Sequence, residues 1–575
     1  MSDQPVTSPP QDPYVTGVSQ AQGLQVQGKI EDAISAYLQL HKEYGARIEI
    51  VYGLGVAYQQ RSGLCPVPEQ QKEADAFLAT AEKYMRQACA LDPGNVDVWN
   101  SLGSVKWGQK DAKLALEYFE RALAITPTFE KALFNLGIVN SAVGNIEASV
   151  RNYEAAMAIS PTYFQAHQNL IFLRDVEADD ARAWKERRNI WIANKPSGRS
   201  WSLPKPENPD KRLRIGYLSA DFWMHSACFI FGSVILSHNW DEFHPIAYHT
   251  GNKYDFISDR VRDHVIWRGV HGATDEQLGQ LIRSDGIDIL VDLSAFSYGT
   301  RLSLFRERIA PVQVTAWGHA LGTGLPEMDY ILMDAVAGPD AQKEQFRETQ
   351  YNLPCLMCYA PPAHAPGVAP LPARTKGHVT FGSFNRIMKL NRETWMRWGE
   401  ILKAVPDSRL IVKCVQFDVP AAIQNMRARM EEFGIESHRV DIRGQEPHLK
   451  HLASYGEVDL SLDPFPHGGG ITTVEGMWAG VPVITHAGTW VASRIGASLL
   501  TNIVGVATDF IATSRQEYID KAVYYATHLD ELEKVRQELR PQMAKSSLCD
   551  IPAYTRAVEK GYREMWMRAC VAAAE

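Results

Sequence analysis

Pro93, Pro127 and Pro161 stand 34 residues apart, and the apolar positions between them recur at the same offsets. The first interval carries Trp99, Leu102, Gly103, Ala115, Phe119 and Ala122; the second carries Leu133, Leu136, Gly137, Ser149, Tyr153 and Ala156. Spacings of three and four put such residues on one helical face, and proline ends the helix. The pattern predicts stacked pairs of antiparallel helices that touch where the side chains are small. Weaker copies flank it. Leu54, Gly55 and Tyr58 follow Ala33 and Tyr37 on one side, and His167 to Leu173 begin another copy on the other. The insertion SGLCPVPEQQ (Ser62–Gln71) interrupts the register. Roughly four or five hairpins are expected over residues 17–195, after a disordered leader at 1–16. Asn135 and Asn169 share one repeat position, which Ser101 occupies in the preceding copy. That row reads either as a polar inner surface or as a ladder that bonds a peptide backbone.

The period then changes. Residues 194–212 hold four prolines, and 196–212 reads as a linker. From 213 to 360, apolar runs predict strands at Leu213–Ser219, Ile287–Leu293, Val312–Trp317 and Tyr330–Met333, with a helix at Asp275–Ser284. A Pro/Ala-rich stretch at 361–377 reads as a hinge. From 378 to 550, strands are predicted at Val379–Phe384, Leu410–Val415, Val440–Ile442, Val458–Leu462 and Val481–Thr485. Residues 551–575 read as one amphipathic helix. The fold class is therefore α plus α/β, a helical repeat array followed by two lobes with mostly parallel sheets. Such lobes bind ligand in the cleft at the carboxyl ends of their strands.

Candidate chemistry gathers at those ends. Asp463, Pro464, Pro466 and His467 lead into Gly468, Gly469 and Gly470, and Thr472 and Thr473 open the next helix. A bulk-free loop feeding a helix N-terminus offers unpaired N–H groups to a phosphate. The same loop also serves as a tight strand–helix connection and nothing more. Glu475 is expected in the first helical turn, within reach of a ribose hydroxyl. Lys389, with Asn385 and Arg386 just before it, follows another strand, a natural place for a cation facing a diphosphate. His448 and His451 precede the glycine-loop strand, and Asp221 and His225 lie beyond the first strand of the first lobe.

Composition narrows the field further. With 575 residues the chain is too long for one core, and a net charge of −8 argues against a broad nucleic-acid footprint. No apolar run is long enough for a membrane span, and residues 1–17 do not resemble a signal peptide, so a cytoplasmic location is expected. Cys355 and Cys358 have CxxC spacing without a second pair, which suggests two reduced thiols more than a zinc site. The chain contains neither GxGxxG, GxxxxGK[ST] nor Asp-x-Asp.

The repeats match the tetratricopeptide (TPR) pattern. Combined in order with LRIGYLSADFWMH, GSFNRIMK, DPFPHGGGITTVEGMWAGVPVIT and ASRIGASLL, they make the chain similar to the O-linked N-acetylglucosamine transferase family in a bacterial form. The resemblance implies a two-lobed glycosyltransferase of the GT-B type, with two Rossmann-like lobes, transferring GlcNAc with inversion from UDP-GlcNAc to Ser or Thr of proteins. It implies no metal and no cofactor beyond the donor, and a protein acceptor recruited through the TPR groove at Asn135 and Asn169. Position by position it implies Lys389 on the diphosphate, His451 stacked on uracil, Thr472 and its neighbours on phosphate, and Glu475 on the ribose. His225 would lie near sugar and acceptor, either taking the acceptor proton or orienting the hydroxyl, with Asp292 or the leaving phosphate as the alternative base. Arg386 and His448 stand where animal members carry Gln and Lys, and their large insert between lobes is absent. A relative using UDP-glucose or another acceptor, and a TPR scaffold that binds nucleotide without turnover, are the alternatives.

Overall fold

The computed structural model describes residues 12–65, 70–177, 179, 182–196, 198–319, 321–503, 505 and 507–575. They form two compact units, residues 1–139 and 140–575.

The first unit is helical. Its opening helix, Pro13–Val26, starts with Asp12 accepting from the Tyr14 backbone N–H and proline at the first helical position. The expected leader is thus already helical from residue 13, and residues 1–11 lie outside the described residues. The Ser62–Gln71 insertion lies partly outside them too, between helices Ile48–Gly63 and Gln71–Leu91. The recurring glycines sit where paired helices cross. A Cβ on Gly103 would lie 2.6 Å from the Phe119 ring, and one on Gly55 2.8 Å from the Met85 side chain. This close approach is the physical content of the Leu-Gly step in the repeat.

The second unit begins with further helices, Ile146–Ile159, Phe164–Glu177 and Arg182–Ala193. Its first sheet contains β1 (Leu213–Ser219), β2 (Phe243–His249), β3 (Ile266–Gly269), β4 (Ile289–Asp292), β5 (Val312–Thr315), β6 (Tyr330–Met333) and β7 (Thr349–Asn352), in the order β3-β2-β1-β4-β5-β6-β7. The second contains β8 (Thr380–Ser383), β9 (Arg409–Lys413), β10 (Val440–Arg443), β11 (Leu460–Leu462), β12 (Val483–His486) and β13 (Ile511–Ala512), in the order β10-β9-β8-β11-β12-β13. Every pairing is parallel. Parallel pairing needs crossovers, which cover both faces with helices and leave the carboxyl strand edges free for a site. This is the two-lobed GT-B arrangement.

Four of these strands carry no clear apolar signal. β2 contains Pro245 and histidines at two positions, β7 reads TQYN, β3 is an edge strand with no buried residue, and β13 has two residues. Two expected connectors are also fastened down. In the 196–212 linker, Arg199 and Trp201 both bond Glu307, at 2.8 and 2.9 Å. In the Pro/Ala hinge, the Ala373 N–H donates to Asp459 and Arg536 donates to the Ala369 carbonyl. The last helix, Ile551–Ala574, packs on the first lobe, where Glu559 accepts from the Asn239 N–H at 2.7 Å and Trp317 donates to the Tyr554 hydroxyl at 2.9 Å. It follows the second lobe in sequence but completes the first.

Candidate functional site

The site is built on the carboxyl edges of the two sheets, which meet across a cleft. On the second lobe, β11 is followed by Asp463, whose side chain is buried and organises the glycine loop. Its carboxylate accepts from the Gly469 N–H at 3.1 Å and from the Thr473 hydroxyl at 3.3 Å. A Cβ on Gly469 would come within 2.2 Å of the Thr473 oxygen, so the loop closes only around glycine. Thr473 therefore points back to Asp463. Thr472 opens the helix Ile471–Trp478 half-buried, and its hydroxyl bonds no protein group among the described residues.

Lys389 ends a short 3-10 turn after β8 and donates from Nζ to the Gly468 carbonyl at 2.7 Å. Removal from water, together with the nearby Arg386 guanidinium, pulls its pKa down to about 7, and Asp463 opposes this only partly. The Gly468 and Gly469 N–H groups are taken by the Ala492 carbonyl and Asp463, so Lys389 is a cation short of countercharge beside the N-terminus of the helix Ile471–Trp478. Asn385 is buried behind it, donating to Ser383 at 3.4 Å.

His448 and His451 stand on the helix His448–Ser454, with Nε2 atoms 3.1 and 3.3 Å from the two oxygens of Glu475. Glu475 is the fifth residue of its helix and 4% exposed, not a first-turn group facing a ribose. Burial works to raise its pKa, but the two histidine hydrogen bonds and charges outweigh this and hold it below the ordinary value. It positions the rings. His451 is set between Phe384 and Tyr455, each centroid 5.6 Å away, and His448 stacks on Phe229 of the first lobe at 5.1 Å.

On the first lobe, His225 accepts at Nδ1 from the Ala227 N–H at 3.3 Å and lies 3.5 Å from an Asp221 oxygen. Burial depresses its pKa; Asp221 counters this, while Arg386 and Lys253 add to it. Arg386 thus acts on His225 from across the cleft and on Lys389 beside it. Asp292 does not join them. It is buried, accepts from Ser294 N–H, Ala295 N–H and the Thr315 hydroxyl, and holds Ala295 at φ +43°. With its oxygens occupied it serves the turn after β4. Asn135 and Asn169 are engaged within the helical repeats. Asn135 donates to Asn100 at 2.9 Å and Asn169 to the Tyr153 hydroxyl at 3.1 Å, so each amide already has an internal acceptor.

Two further histidines stand close by, one of them, His319, without a legible signal. His467, inside the glycine loop, packs 5.5 Å from the Phe172 ring and 6.5 Å from that of His319. Burial pulls the pKa of both far down, that of His319 to about 3, and Lys389 is among the charges acting on each. Phe172 belongs to the helix Phe164–Glu177, so the last helical repeat forms part of the wall. Only the order of residues along a completed fold reveals this.

A model of glycosyl transferase family 41 matches residues 192–357 and 371–558, which is more than half of the chain. The chain belongs to glycosyl transferase family 41. A tetratricopeptide repeat model matches residues 96–129. Among family 41 relatives, a probable UDP-N-acetylglucosamine–peptide N-acetylglucosaminyltransferase SPINDLY of Arabidopsis thaliana is 37% identical over 386 residues, 65% of this chain and 41% of that protein. The SEC protein of the same plant is 28% identical over 380 residues, 64% of this chain and 38% of that protein. The chain therefore spans about two fifths of the length of these curated relatives. A mutant of Thermobaculum terrenum O-GlcNAc transferase superposes with a TM-score of 0.80 at 30% identity, covering 90% of this chain and 99% of that one. Cys355 and Cys358 are buried free thiols. No helix among the described residues is long and apolar enough to cross a membrane.

Proposed function

We propose that this family 41 member transfers GlcNAc from UDP-GlcNAc to Ser or Thr hydroxyls of proteins, with inversion and without a metal ion, and that its repeats recruit the acceptor. The observation that carries the reading is Lys389, held on the Gly468 carbonyl and underprovided with countercharge beside the glycine loop. The UDP diphosphate sits there, and the uracil lies along His451. The acceptor oxygen attacks the anomeric carbon from the face opposite the diphosphate; the new C–O bond forms as the bond to the phosphate oxygen breaks. Lys389, Thr472 and the helix N-terminus stabilise the charge arriving on the leaving group. The acceptor proton passes to His225, whose depressed pKa keeps the ring neutral at pH 7.

Arg386 and His448 line the donor side, so UDP-glucose is the competing donor. A panel of UDP-sugars incubated with protein acceptors and read by mass spectrometry separates the two. Products carrying hexose alone would refute GlcNAc transfer. Calorimetry of UDP in excess EDTA tests the metal-free reading; binding lost on chelation refutes it.

A further inference from the structure

Among the described residues between 213 and 550, eight large hydrophobic side chains are exposed, and six of them sit just beyond the carboxyl ends of strands. Met224 (41% exposed), Tyr254 (42%), Phe256 (62%) and Tyr298 (82%) follow β1, β2 and β4; Val415 and Leu449 follow β9 and β10. Only Trp240 and Tyr524 lie elsewhere. Apolar side chains scattered by chance would not collect on the two edges that carry His225 and Lys389.

The first-lobe group is one continuous rim. The Met224 N–H donates to Asp255 at 2.6 Å, next to Phe256, and the Thr250 hydroxyl donates to the Gly299 carbonyl at 3.2 Å, next to Tyr298. Lys253 Nζ lies 4.3 Å from the Trp223 ring centroid, and Trp223 packs 5.3 Å from the His225 ring. Lys253 pairs with no carboxylate among the described residues. β2, β1 and β4 are neighbours in the sheet, so the rim spans roughly 10 Å, the reach of about three residues of extended chain.

We infer that this rim binds the acceptor directly. Its occupant is an extended stretch of polypeptide whose residues within two places of the hydroxyl are large and apolar, with a carboxylate meeting Lys253. Continuity with His225 and the unpaired cation select this occupant over a nucleotide, whose anionic group has its own cation at Lys389. Sequence preference then resides in the catalytic lobe itself and not in the repeats alone. The inference rests on the proposed transfer reaction.

The test uses the full chain, UDP-GlcNAc and a library of nine-residue peptides with a central serine in a Gly/Ala background. Expected is at least a tenfold higher kcat/KM for Phe, Tyr or Leu over Gly beside the serine, and a severalfold preference for Asp or Glu over Lys at one flanking position. The Phe256→Ser/Tyr298→Ser double variant removes the apolar preference by raising KM, while its hydrolysis of UDP-GlcNAc by water matches wild type. Lys253→Glu inverts the ratio of acidic to basic peptides. No flanking preference, or a preference that survives the double variant, with donor hydrolysis intact, overturns the rim and leaves the proposed function standing. A dimer in sedimentation that Phe256→Ser/Tyr298→Ser dissolves also overturns it, assigning the rim to a second copy. Absence of both transfer and donor hydrolysis in wild type overturns the transfer reading and this inference together.

Discussion

Lys389 supplies a quantitative expectation: affinity for UDP-GlcNAc falls as pH rises through about 7. In the free protein its pKa is drawn down to about 7 by removal from water and by Arg386. A bound diphosphate brings two negative charges to the ammonium and raises that pKa, so binding takes up a proton wherever the free amine is neutral. Well below pH 7 the lysine is already charged and affinity is flat. Near pH 8 only about one lysine in eleven is charged, which costs about 1.4 kcal/mol or roughly tenfold in Kd. By pH 9 the cost reaches about 2.7 kcal/mol. That is close to the roughly 1.5–3 kcal/mol a charge-assisted hydrogen bond contributes, so the loss levels off there. UDP-GlcNAc is the ligand of choice because its terminal phosphate is esterified and does not titrate near pH ~6 as a free phosphate does. Calorimetry in two buffers of different ionisation heat should show uptake of about half a proton at pH 7 and about 0.9 at pH 8. Lys389→Ala should bind with a pH-independent Kd, about 10–100-fold weaker than wild type at pH 6 and converging with it near pH 9, and should lose transfer. A wild-type Kd that is flat from pH 6 to 9, or the same slope in Lys389→Ala, refutes the argument.

Three further outcomes are expected. His225→Ala keeps UDP-GlcNAc affinity and loses turnover; because its folded pKa lies below the ordinary 6.5, the acidic limb of kcat/KM in wild type falls below that pH and is missing from the variant's residual activity. An unchanged limb in the variant removes His225 as the base. Glu475→Gln leaves one acceptor oxygen for two histidine rings, so UDP affinity drops about tenfold by loss of roughly 1–2 kcal/mol of positioning; wild-type affinity in a folded Gln variant shows that the rings position themselves. Removing residues 1–139 preserves UDP binding and impairs transfer to whole proteins, whereas removal of residues 1–195 unfolds the catalytic unit. The second cut takes Ile171, Ile190 and Trp191 out of the first-lobe core, at about 2–5 kcal/mol each, together with the bonds from Gln168 to the Phe296 carbonyl and from Trp191 to the Thr323 carbonyl. A stable 196–575 fragment with normal melting behaviour overturns that assignment.

The repeat period, the switch to alternating α/β elements and the glycine loop were legible because each is a local signal. A 34-residue spacing of small residues and prolines reports helix pairing, and short apolar runs report central parallel strands buried on both faces. The ordered set of motifs carried the family. Only the tertiary structure showed that Thr473 turns back to Asp463, that Glu475 is consumed by His448 and His451, and that Asp292 is occupied by its own turn. In sequence, a carboxylate at a strand end looks the same whether its oxygens face a ligand or a neighbouring backbone N–H. The edge strands β3 and β7 were hidden for a related reason: neither has a residue buried enough to print an apolar pattern. The final helix joins the first lobe, and the last repeat reaches the site's wall, through contacts more than a hundred residues apart, such as Trp317 with Tyr554 and Phe172 with His467. Periodicity fixes which face of an element is apolar, but the partner of that face is chosen only when the whole chain packs.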